Sequence, residues 1–143
     1  MAEATVLIVD DEQEFRETIS QRLQNRGFNV NTAANGKEAL DSLEGYIYDA
    51  IVLDMLMPEM DGIETLKRIR QTHPEMQIIM LTGHATVQKG VEAVKLGAMD
   101  FLEKPADIET LTAKIQEAKA KRLLLVEKQR EEAVRETLVK YGW

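Results

Sequence analysis

No cysteine occurs in the 143 residues, which excludes a disulfide framework and any thiolate metal site. No long apolar run and no signal-like start is present either, so the expectation is a soluble chain without membrane contact, in the cytoplasm. No basic stripe offsets the formal net charge of -7. That balance argues against direct nucleic-acid binding and for attraction of cations or basic partners. The two histidines, His73 and His84, lack partners at metal-ligand spacing. A Gly-rich phosphate loop does not follow the first strand-like run, which sets aside a flavin or dinucleotide binder. Internal repeats and low-complexity linkers are absent as well.

What is present is an ordinary globular composition, 44% hydrophobic, with room for one domain and an appendage. Charge is unevenly spread along it. Residues 1–105 hold 10 basic and 18 acidic side chains, whereas residues 106–143 hold 8 and 7. The acidity therefore belongs to the first part.

Strand-like runs alternate with helical patterns five times. The runs at 6–9, 50–53 and 78–81 are apolar throughout and are expected to be buried on both faces, whereas Phe28 to Thr32 alternates as an edge strand would. An outer run spans Asp100 to Glu103. Between the first two runs Phe15, Ile19, Leu23 and Arg26 recur at helical spacing, and Gly27 suits a left-handed helix end. Further helices are expected at about Gly36 to Leu43, Ile63 to Arg70, Thr86 to Leu96 and from Ile108 onward. The pattern implies right-handed crossovers and an α/β fold: a five-stranded parallel sheet with helices on both faces and an extended C-terminal helix.

In such sheets ligands bind outside the carboxyl ends of the strands. Those ends deliver Asp10-Asp11, Asp54, Thr82 and Lys104-Pro105. Three carboxylates in one crevice need a compensating cation, since two unit charges about 4 Å apart repel by roughly 4 kcal/mol at an effective dielectric of about 20. Hard oxygen ligands suit Mg²⁺, which keeps waters and takes its remaining ligands from phosphate oxygens. Asp54, central and followed by a turn, is best placed to attack phosphorus, with Lys104 neutralising charge and the Thr82 hydroxyl donating to a phosphoryl oxygen. His84, two residues past Thr82, and Leu56 are expected to limit water access and tune the lifetime of the phosphoryl group.

Four motifs occur jointly: Val9-Asp10-Asp11-Glu12, Leu53-Asp54-Met55-Leu56-Met57-Pro58 with Asp61-Gly62, Leu81-Thr82-Gly83, and Asp100-Phe101-Leu102-Glu103-Lys104-Pro105. In them the sequence resembles the receiver domain of bacterial two-component response regulators, including receivers of ATPase-type transcriptional activators. The resemblance implies the flavodoxin-like strand order 2-1-3-4-5. It also implies Asp54 as phosphoacceptor, a Mg²⁺ site from Asp10, Asp11, Asp54 and the Leu56 main-chain carbonyl, and Lys104 as phosphate binder. Thr82 and Phe101 would form a switch pair, and Lys104-Pro105 a cis peptide. The implied function is a phosphorylation-activated switch served by a sensor histidine kinase, assisting its own phosphorylation and dephosphorylation rather than acting as an enzyme. The expected division is a receiver domain at 1–120 and a helical extension at 121–143.

Local alternatives attach to some of these residues. Asp11 with Glu14 has the spacing of a capping box, and Asp61 with Glu64 reads as a helix cap rather than a ligand. A haloacid-dehalogenase-like phosphatase also uses an Asp nucleophile and Mg²⁺, but it resembles Asp-x-Asp, and position 56 here is Leu. The tail, from Ile108 through Leu125 to Tyr141, forms helix for about 30 positions, on the order of 45 Å, longer than such a domain covers. Its second half must project or pair. The expectation is a homodimer through this helix and the fifth-helix region, or a downstream protein partner, and the chain also reads as a receiver fragment of a longer transcriptional activator.

Overall fold

The three apolar runs become the inner strands of one sheet because each offers aliphatic side chains to both faces. A computed structural model describes residues 3–83 and 86–142. Among the described residues, β1 (Thr5–Val9), β2 (Asn29–Ala33), β3 (Ala50–Asp54), β4 (Ile78–Thr82) and β5 (Asp100–Glu103) alternate with α1 (Gln13–Gln24), α2 (Gly36–Gly45), α3 (Gly62–Thr72), α4 (Val87–Lys95) and α5 (Ile108–Lys140). The sheet is parallel with order β2-β1-β3-β4-β5, the flavodoxin-like arrangement.

Strand alternation divides the core in two. Leu7, Val9, Ile51, Leu53, Ile78 and Met80 face Ala39, Leu43, Leu66, Ile69 and Ala93 of α2, α3 and α4. Val6, Ile8, Ala50, Val52, Ile79 and Leu81 face Ile19, Leu23, Leu111, Ile115 and Ala118 of α1 and α5. A period of two in the strands thus supplies both layers from the same short runs.

Helix ends follow local chemistry. Asn35, Asp61 and Asp107 cap α2, α3 and α5 through the amides of Glu38, Glu64 and Thr110. The Asp11–Glu14 capping box, the local alternative for that pair, does not form. The N-cap of α1 is Glu12, whose side chain makes no capping bond. Asp10 Oδ1 instead accepts from the Glu12 amide at 2.9 Å, a local side-chain turn that fixes the chain one residue later. β2 also begins one residue later than expected. The Phe28 amide donates to Leu23 O at 3.1 Å, closing the end of α1 beside Gly27 at φ 90, and so is not free for the ladder.

α5 is continuous across position 120 and, at 33 residues, about 50 Å long. Its last buried residue is Ala118, and four residues on Arg122 still reaches Asp49 Oδ1 at 3.9 Å. Lys119 Nζ donates to Glu3 O at 2.8 Å and Gln116 Nε2 to Glu3 Oε2 at 3.0 Å, anchoring the helix on the chain before β1. Residues 126–140 are exposed throughout. Among the described residues, no helix is long and apolar enough to cross a membrane.

Candidate functional site

Register places the site. Val9 pairs with Leu53, Asp54 with Leu81 and Thr82 with Glu103. Asp10, Asp54, Thr82 and Lys104 therefore arrive at neighbouring positions along the carboxyl edge of the sheet. Asp54 shares the alternation of Ala50 and Val52, toward the α1 and α5 side, whereas Thr82 shares that of Ile78 and Met80, toward α4.

Carboxylate oxygens of Asp10, Asp11 and Asp54 lie within 4.8 Å of one another. Asp10 and Asp54 are buried, and Asp11 is exposed. Lys104 Nζ bridges the buried pair, at 2.7 Å from Asp10 Oδ2 and 3.2 Å from Asp54 Oδ1, with Glu12 Oε1 at 3.7 Å. Burial pushes the Asp54 carboxyl up to about 6, the charge of Asp10 adds to this, and Lys104 pulls in the opposite direction. For Lys104, burial would lower the ammonium. The hydrogen bond to Asp10 and the charges of Asp54 and Asp10 outweigh it, so the group is raised. Both directions describe one crowded site with more negative than positive charge. The donor set is all oxygen, and one acid remains open to solvent, which fits a hard divalent cation with waters.

Thr82 is buried at the end of β4, and its hydroxyl donates to Leu102 O at 3.4 Å. That is a long hydrogen bond, easily exchanged for a better acceptor. The Lys104 amide donates to Thr82 O at 2.7 Å, so the two strand ends are tied through backbone. The Lys104–Pro105 peptide is cis. Leu56 is 54% exposed in the loop after β3. His84 lies outside the described residues.

Sequence reasoning missed three residues around this site. Phe15, in the first turn of α1, places its ring centroid 4.3 Å from Lys104 Nζ. Gly62 packs against the backbone of Asp54 and Met55. Gly90, inside α4, leaves room for Phe101 and Thr82: a Cβ there would lie 2.8 Å from Phe101 Cδ2 and 3.0 Å from Thr82 Cγ2. A glycine interrupting a helical pattern was the one available signal for Gly90.

A parallel sheet of this order carries three carboxylates and a lysine together at its carboxyl edge. The model for "Response regulator receiver domain" matches residues 6–116, and the chain belongs to that family. It is thus a regulatory domain, a phosphorylation-activated switch of two-component signalling. It is 40% identical over 113 residues to the transcriptional regulatory protein FixJ of Bradyrhizobium diazoefficiens, covering 79% of this chain and 55% of FixJ. Against the transcriptional regulatory protein ZraR of Escherichia coli K12 the identity is 36% over 115 residues, covering 80% of this chain and 26% of ZraR. The crystal structure of full-length FixJ from B. japonicum superposes with a TM-score of 0.82 at 34% identity, over 98% of this chain and 68% of that one. The chain spans about half of FixJ and about a quarter of ZraR.

Proposed function

We propose that Asp54 is the phosphoacceptor, receiving its phosphoryl group from a sensor histidine kinase in a Mg²⁺-dependent transfer to which this chain's own side chains contribute. The observation that carries this reading is the gathering of Asp10, Asp11 and Asp54 within 4.8 Å, with Lys104 bridging Asp10 and Asp54. An Asp54 oxygen forms the bond to phosphorus as the donor's phosphorus–nitrogen bond breaks, leaving an acyl phosphate. Asp10, Asp11, Asp54 and the Leu56 carbonyl would hold Mg²⁺, which supplies neutralisation of the phosphoryl oxygens. Lys104 gives up a carboxylate contact and takes a phosphoryl oxygen. Leu56, exposed in the loop after β3, limits water access to the acyl phosphate. Incubated with acetyl phosphate and Mg²⁺, the chain should acquire a single alkali-labile phosphate, visible by intact-mass measurement. Uptake unchanged after chelation of divalent ions would remove the metal from this reading.

The switch itself is Thr82 with Phe101. Phosphorylation adds about 1.5 to 2 negative charges, and Thr82 exchanges its long bond to Leu102 O for one to a phosphoryl oxygen. Phe101 then turns toward the space Thr82 leaves, changing the face made by α4, β5 and α5. Moving such an equilibrium from about 1:99 to about 99:1 takes roughly 5.5 kcal/mol. One bond to a charged acceptor contributes about 1.5 to 3 kcal/mol, and a charge-assisted Lys104 contact supplies a comparable share.

The output is protein association in the cytoplasm, with a second copy of the chain pairing along α5, chiefly its second half from position 121 to Lys140. Leu123, Leu124, Val134 and Leu138 are exposed there, Leu124 at 72%, and a projecting helix with such residues is covered most simply by another helix. The coverage of FixJ and ZraR favours a receiver segment of a longer transcriptional activator as the setting. Sedimentation should give a dimer that dissociates when Leu124 and Leu138 are both changed to Glu. A monomer with and without acetyl phosphate would sink the pairing.

A further inference from the structure

The geometry points to Phe15 as a positioning residue for Lys104, an inference that rests on the phosphate-binding role proposed above for that lysine. Among the described residues, the Lys104 ammonium lies 2.7 Å from Asp10, 3.2 Å from Asp54, 3.7 Å from Glu12 and 4.3 Å from the centroid of the Phe15 ring. Three of these groups are carboxylates. Asp10 and Asp54 are the groups that a cation and a phosphoryl group would engage, and Glu12 is exposed and more distant. Once the site is loaded, Glu12 and the aromatic face keep their attraction for the ammonium, and of the two the carboxylate is screened at 68% exposure whereas the ring is half-buried.

The ring suits that task chemically. A cation above an aromatic face is held by the quadrupole of the ring without a directional hydrogen bond. All three N–H donors of the ammonium are then free to turn from carboxylate oxygens to phosphoryl oxygens while Nζ stays in place. Phe15 is itself fixed. It packs half-buried against the core between the sheet, α1 and α5, and the next residue, Arg16, donates from Nη1 to Asp10 O at 2.7 Å. The first turn of α1 is thereby tied to the same strand end that carries Asp10. The ordinary alternative is a core aromatic that Lys104 happens to cross, and it predicts that any apolar side chain of similar size would serve.

Rates of phosphate uptake from acetyl phosphate, at saturating Mg²⁺ in the full chain, separate the two. Phe15→Leu should slow uptake roughly two- to fivefold, the effect expected of a cation over a partly exposed aromatic face, and Phe15→Tyr should keep the wild-type rate. In a Lys104→Met background, Phe15→Leu should have no further effect, because the two residues act as one pair. Thermal melts of the same proteins check that the Leu variant is folded at the assay temperature. Wild-type uptake in Phe15→Leu, equal slowing in the Leu and Tyr variants, or the same slowing with Lys104 already replaced would each overturn the positioning role. Lys104→Met at the wild-type rate would overturn the role of the lysine itself, and this inference with it.

Discussion

Asp54→Asn should take up no phosphate, and in metal-free buffer at about pH 7 it should unfold at higher urea than the wild type. Loss of uptake follows from chemistry, because the amide nitrogen and oxygen of Asn do not replace the carboxylate nucleophile. Higher stability follows from the charge. The Asp54 carboxyl is pushed from 3.8 up to about 6, first by burial and next by Asp10, despite the opposing pull of Lys104. Between about pH 4 and about pH 6 the folded chain holds a proton that the unfolded chain has released, so stability falls as pH rises through that window. Above it the native state carries the full cost of an ionised, buried carboxylate. The rise from 3.8 to about 6 corresponds to roughly 3 kcal/mol, the upper bound of what Asn should restore, since it also loses the Lys104 contact. The advantage should shrink toward zero below about pH 4, where both states of the wild type are protonated. Urea curves at the two pH values check this. An Asn chain less stable than the wild type at neutral pH would mean that the lysine bridge outweighs desolvation.

The parts of this arrangement legible in the sequence are those carried by pattern. Val6 to Val9, Ile51 to Leu53 and Ile78 to Leu81 are apolar at every position, and only a strand buried on both faces uses such a run fully. Their polar terminators then fall on one edge by topology, which is why Asp10, Asp54 and Thr82 were recognisable together. Asp61 was readable as a cap because its partner, the Glu64 amide, is three residues away. What escaped depends on through-space fit. The Asp11–Glu14 spacing suited a capping box, but Asp10 reached the Glu12 amide first. Phe15 reads as one apolar position in a helical stripe, and nothing in that stripe reveals a lysine some 90 residues later in the chain lying over its ring. Gly90 is indistinguishable from a weak helix position until Phe101 and Thr82 are seen against it.

Gly62→Ala should destabilise the chain and slow phosphorylation together, against what helix propensity alone predicts. Gly62 is the first residue of α3, and Ala is the better helix former by about 0.5 to 1 kcal/mol. Space decides otherwise. A Cβ at Gly62 would lie 2.6 Å from Asp54 O, 2.8 Å from Met55 Cα and 3.0 Å from Met55 O. All three are backbone atoms, and the Gly62 amide already donates to Met55 O at 2.9 Å. No side chain can swing aside, so either the start of α3 lifts or the end of β3 moves. Overpacking of this kind costs about 1 to 3 kcal/mol, which exceeds the gain in propensity. Because Asp54 is the last residue of β3, the shift is delivered to the residue proposed to attack phosphorus, where a misplacement near 1 Å costs about a hundredfold. A smaller shift should therefore slow uptake by about tenfold. Gly45→Ala is the matched control, since a Cβ there meets nothing within 4 Å; it should leave uptake unchanged and stability the same or higher. Urea unfolding and acetyl phosphate uptake, measured on both variants, separate fit from propensity. Wild-type stability and uptake in Gly62→Ala would mean that α3 can slide away from β3 without carrying Asp54 with it.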